Sequence, residues 1–166
     1  MEGPASSPGH TEHEVKKLLF ITCLCVAFAA SAADKDKTLA PEQRAAAHIE
    51  ELRQKIAHDS EREICTHSAE LVYELVEQFN NQMNAGELQP AQQTLNDVAT
   101  YADKARDAAK NSHHKLKQAE LTLHKSARRL ADIEQSLAVE NRAAIDPVVK
   151  RIEAADDAIL NQVFKD

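Results

Sequence analysis

Tryptophan is missing from this chain, and three glycines, five prolines, two tyrosines and four phenylalanines are few for 166 residues. Gly3 and Gly9 stand at the very front, so beyond residue 40 the chain is punctuated only by Gly86, Pro41, Pro90 and Pro147. Sheets need frequent tight turns, which draw heavily on Gly and Pro. Punctuation this sparse excludes a β-sandwich or barrel.

The same shortage limits chemistry. No Gly-rich phosphate loop, Cys-x-x-Cys pair, His-Glu-x-x-His helix or Gly-x-Ser-x-Gly elbow occurs in the sequence. Oxyanion holes usually sit on tight turns that one glycine cannot supply. The expectation is therefore a protein that is not an enzyme and carries no cofactor.

Long apolar runs are lacking too. The greasiest stretch, Leu18 to Ala30, is about 13 residues, whereas a helix crossing the hydrocarbon core needs roughly 20. Lys16 and Lys17 precede it, and Ala30-Ser31-Ala32 follow, small residues that a signal peptidase accommodates. A basic start, a short apolar middle and an Ala-x-Ala site predict a secretory signal peptide over residues 1–32. The acidic leader "MEGPASSPGHTEHE" departs from that pattern, which points to Val15 as the true initiator and to residues 1–14 as a mis-assigned start. A lipoprotein signal is disfavoured, because Thr22 stands directly before Cys23.

Cleavage would remove Cys23 and Cys25 and leave Cys65 alone, unable to form an internal disulfide. Cys65 then reads as a small buried hydrophobe or as a bridge between two copies, a route to a homodimer. The chain carries 27 acidic and 20 basic residues. That acidic balance argues against nucleic acid and against an anionic membrane surface as partners. No stable membrane anchor is expected once the signal is removed.

What is abundant is Ala, Leu, Glu, Lys and Gln, the composition of long helices. Each proline past residue 40 stands where a helix can begin, because its fixed φ suits a first turn that needs no N–H from it. "NAGELQP" places a left-handed stop at Gly86 and a new start near Pro90. From Leu95 to Leu137 an apolar or small residue recurs every seventh position, and Ala91, Val98, Ala105, Ser112, Ala119, Ser126 and Ile133 fill the second position of that heptad. Ile49, Leu52, Ile56, Ile64, Leu71, Leu75 and Phe79 form the matching stripe on the arm before Gly86.

Two arms of similar length predict an antiparallel helical hairpin, on the order of 70 Å long if straight. Each arm has a polar point midway, "SERE" at Ser60 to Glu63 with the form of a capping box, and "NSHH" at Asn111 to His114. Bending there would keep rods; breaking there would fold the halves back. The preferred reading is an all-α fold, the hairpin folded into a three- to four-helix up-down bundle over 41–166, after the signal peptide and a flexible stretch at 33–40. A last helix from between Asn141 and Asp146 to near Phe164 returns along the second arm.

Three sets of surface residues carry the functional expectations. His58, Cys65, His113 and His114, with Glu61, gather near the hinge in the hairpin register and have the donor types of a zinc, copper or nickel site. Glu120 and His124 stand four residues apart, a spacing that lets both touch one ion. The basic patch is Lys115, Lys117, Lys125, Arg128 and Arg129, opposed within the segment only by Glu120. It either attracts an acidic partner or complements Glu50, Glu51, Asp59, Glu61 and Glu63 inside the molecule. Three functions follow: an exported scaffold or adaptor working through protein contacts or self-association, a holdase-like envelope chaperone by analogy of architecture alone, and a metal-binding bundle.

Overall fold

The computed structural model describes residues 40–112 and 114–165. The expected signal peptide, the Val15 start, positions 33–39 and His113 lie outside the described residues. Among the described residues six helices follow in order: α1 Pro41–His58, α2 Glu61–Asn84, α3 Leu88–Ala109, α4 Leu116–Ser136, the single turn α5 Val139–Arg142, and α6 Asp146–Val163. The protein is all-α, with no strand among the described residues.

The prolines act as their geometry dictates. Pro41 and Pro147 fall in the first two positions of α1 and α6. Pro90 is the third residue of α3, where its missing N–H is still one of the donors without a partner inside the helix. Gly86 has φ +75°, and a Cβ added there would meet nothing within 4 Å, so backbone conformation alone requires glycine. Its N–H donates to the Met83 carbonyl at 3.1 Å and the Glu87 N–H to the Gln82 carbonyl at 2.9 Å. These paired bonds are a Schellman closure of α2.

Both polar midpoints end helices. Asp59 and Ser60 are extended, with ψ 154° and 153°, and separate α1 from α2. The Ser60 hydroxyl donates to the Glu63 carboxylate at 3.1 Å instead of capping a backbone N–H, so a bond between the two side chains replaces the predicted capping box. The second break needs neither Gly nor Pro. It turns on Lys115, which takes the left-handed conformation at φ 52° and ψ 25°, costing about 1–2 kcal/mol for a residue with a Cβ.

Beyond the α2–α3 turn, chain direction is set by side-chain pairs. The Ser112 hydroxyl donates to the Arg62 carbonyl at 2.9 Å, and Arg129 forks onto Glu77 at 2.7 and 3.2 Å. Both pairs join residues 50 to 52 apart, so α4 runs beside α2 in the same direction. His124 meets Asp156 at 3.2 Å, and Ala131 lines the same cleft as Glu153, so α6 runs antiparallel to α4. The α2–α3 and α4–α6 hairpins thus lie side by side. α3 and α4 scarcely touch, although each packs directly on both α2 and α6, so the link between them crosses the end of the bundle.

The heptad seam is buried throughout, from Ala91 and Leu95 through Ala105 and Ser112 to Leu130 and Ile133, even though the helix carrying it is broken in the middle. Fully burying each Leu, Ile or Val contributes roughly 1.5–3 kcal/mol. Ala102, Ala105 and Ala109 keep α3 narrow where it lies along α2. α1 folds back on α2 and buries only Ile49, Leu52 and Ile56. Arg142 closes the end of α4, its Nε donating to the Leu137 carbonyl at 2.9 Å and its Nη2 to that of Gln135 at 3.0 Å.

Candidate interaction face

α4 presents Lys117, Leu121, Lys125 and Arg128 at spacings of four, four and three, which place them along one line of a helix. All four are exposed, and Leu121 leaves 48% of its surface open between two cations. Lys115 and Lys117 stand at the helix start, where the macrodipole disfavours positive charge by a few tenths of a kcal/mol. The first turn carries no acidic residue to offset them. These cations therefore do not serve the stability of α4.

Of the five predicted basic residues, Arg129 alone is paired with another described residue, and its partner is Glu77 of α2. The hydrogen bonds and charge of Glu77 push the guanidinium pKa up. The carboxylates expected to complement the patch are engaged elsewhere. Glu51 bonds Lys55 at 2.7 Å, Glu50 accepts from Gln54 at 3.4 Å, Asp59 holds His67, and Glu63 holds Ser60. Glu61 is exposed in the first turn of α2. The internal complement expected from the sequence is therefore not formed by those residues, because α1 folds back along α2 and α4 lies beside α2 instead.

On the other side of Glu77 lies a groove of about 260 Å³ between α1 and α2. Ala45, Ala46 and Ile49 give it an apolar side, and Glu42, Glu74, Glu77 and Glu87 give it an acidic one. The Gln82 Oε1 in the same lining is buried without a hydrogen-bond partner. Glu77 belongs both to this groove and to the Arg129 pair, so an acidic trough and an unpaired basic line flank one salt bridge.

A second cleft of about 370 Å³ separates α4 from α6 and is lined by His124, Arg128, Glu153, Asp156 and Asp157. Asp156 is buried, and its Oδ1 has no partner. Burial pushes its carboxyl pKa up, the His124 hydrogen bond opposes that, and Glu120 and Asp157 reinforce it. Glu120 thus acts on Asp156 through its charge, while His124 is bonded to Asp156 and not poised with Glu120 over an ion.

The predicted metal donors are dispersed in character. His58 is exposed in the last turn of α1 and His114 is exposed in the crossing segment, whereas Cys65 has no exposed surface at all. Among the described residues no three His, Cys, Asp or Glu side chains gather as a metal set. Burial pushes the Cys65 thiol up to about 11. A bridge to a second copy through that sulfur would require the start of α2 to open. No described helix is long and apolar enough to cross a membrane.

Sequence reasoning missed two histidine–aspartate pairs, His67 with Asp59 at the α1–α2 break and His124 with Asp156 between α4 and α6. Their partners lie 8 and 32 residues apart, separations that carry no periodic signal. Set against models of protein families, curated proteins and solved structures, the chain matches none of them.

Proposed function

We propose that this is an exported protein whose signal peptide covers residues 1–32 and whose remainder is an up-down helical bundle acting through protein contacts, as a scaffold or adaptor. The single observation that carries this reading is the exposed line Lys117, Leu121, Lys125 and Arg128, whose three cations pair with no other described residue. A solvated helix face ordinarily mixes both signs, and cations without partners beside an exposed leucine suit an acidic protein surface.

Two measurements test the two halves of the proposal. Residues 1–40 fused to a reporter active only outside the cytoplasm should give activity, and an inactive reporter retained in the cytoplasm overturns export. A photo-crosslinking residue at Lys125, in cells that produce the protein, should yield a discrete protein adduct. The same probe at Gln93, on the α3 helix diagonal to α4, should not. Equal labelling at both positions, or none at Lys125, overturns the contact reading.

A further inference from the structure

We infer that the protein surface which covers the α4 line is a second copy of this chain, in a two-fold dimer that sets the basic line of each copy on the acidic α2 edge and groove of the other. The inference rests on the proposed role in protein contacts and names the partner. The two complementary surfaces lie to either side of the Glu77–Arg129 pair, with Arg128 also bordering the α4–α6 cleft. A two-fold axis along that division exchanges left for right, so that each basic line meets an acidic edge, and preserves height along the helices.

Height is fixed by the parallel packing of α2 and α4. Partners across that seam are offset by 50 to 52 residues, so Lys125 stands level with Glu74, and Arg128 level with Glu77 at the mouth of the groove. The axis therefore brings cations of one copy against carboxylates of the other at matching levels. An axis at right angles to the helices would set cation on cation, which like-charge repulsion forbids. Exposed Leu121 and the alanines of the groove supply apolar contact.

The test uses the protein purified from cells that produce it, through a carboxy-terminal tag, and sedimentation at about 1 to 100 μM. A dimer is expected whose dissociation constant rises by at least about tenfold when salt goes from about 0.05 M to about 0.5 M. Reversing the basic line in K117E/K125E/R128E should leave a monomer, and so should reversing the facing edge, half-buried Glu70 and Glu74 one turn apart on α2, in E70K/E74K. Mixing the two variants should restore a one-to-one complex, which a merely misfolded variant would not do; unchanged helical circular dichroism provides the second check. A wild-type monomer throughout the range, or a dimer surviving both reversals, overturns the inference. Crosslinks from Lys125 solely to a different protein overturn the self-pairing and leave the broader contact role standing.

Discussion

The Ser112 hydroxyl donates to the Arg62 carbonyl at 2.9 Å and accepts from the His114 N–H at 3.3 Å. One buried side chain thus fastens the crossing segment to the first turn of a helix 50 residues earlier. Ser112→Ala should cost about 0.5–1.5 kcal/mol of stability, since it removes the bond to the Arg62 carbonyl and the acceptor of the His114 amide. Urea unfolding followed by circular dichroism measures it. A loss below a few tenths of a kcal/mol would show that the hydroxyl does not fasten the segment.

Lys115 is the described non-glycine residue with positive φ. Lys115→Gly removes the Cβ clash and should stabilise the protein by about 0.5–1 kcal/mol, after the added freedom of the unfolded chain is discounted. Lys115→Val should destabilise by more than about 1 kcal/mol, because branching at Cβ tightens the same clash. The opposite order of unfolding midpoints would refute the left-handed assignment.

Asp156 gives the protein a pH signature. Burial raises its pKa, so the folded chain keeps a proton that the unfolded chain has already released. This group's contribution is fully present below the unfolded pKa and is lost as pH rises through the folded one. Asp156→Asn should flatten that part of the profile, so that the variant gains on the wild type as pH rises from about 3 to about 7. Urea midpoints for the two proteins across that range check the sign, and parallel profiles would contradict it.

Cys65, fully buried and with its thiol pushed up to about 11, should react with iodoacetamide at least about a hundredfold more slowly than an exposed thiol near pH 8. Mass spectrometry of the peptide carrying Cys65 isolates this rate from that of Cys23 and Cys25. Labelling should become fast in denaturant. Rapid labelling of the native protein would mean that the start of α2 is open.

Helix identity was legible because Pro41, Pro147, Gly86 and the heptad from Ala91 to Ile133 are local signals, each acting within a turn or along a single face. The midpoints at Ser60 and Ser112 were visible as polar interruptions, and helices do end at both. The hairpin pairs α2–α3 and α4–α6 were legible from their short connections, but which hairpin lies against which was not. The seam at Ala109, Ser112 and Leu116 keeps the same seven-residue step through the break, so the pattern describes a straight rod and a folded pair equally well. The Glu77–Arg129 pair depends on that choice, and the basic line could be read from spacing while its lack of internal partners could not.

A repeat that continues through a bend has a further effect. If the whole link between Ala109 and Leu116 took up helical dihedrals, Lys115 returning to the right-handed region among them, α3 and α4 would fuse into one rod from residue 88 to residue 136, and its apolar stripe would stay in phase. The α4–α6 half would then swing clear of its own α2–α3 half and be free to seat on that of a neighbouring chain, an exchange of halves that needs no new surface. Small-angle X-ray scattering of Ser112→Leu, which discards the fastening and extends the apolar stripe, should show a longer maximum dimension than the wild type, and an unchanged one would mean that packing alone holds the fold shut.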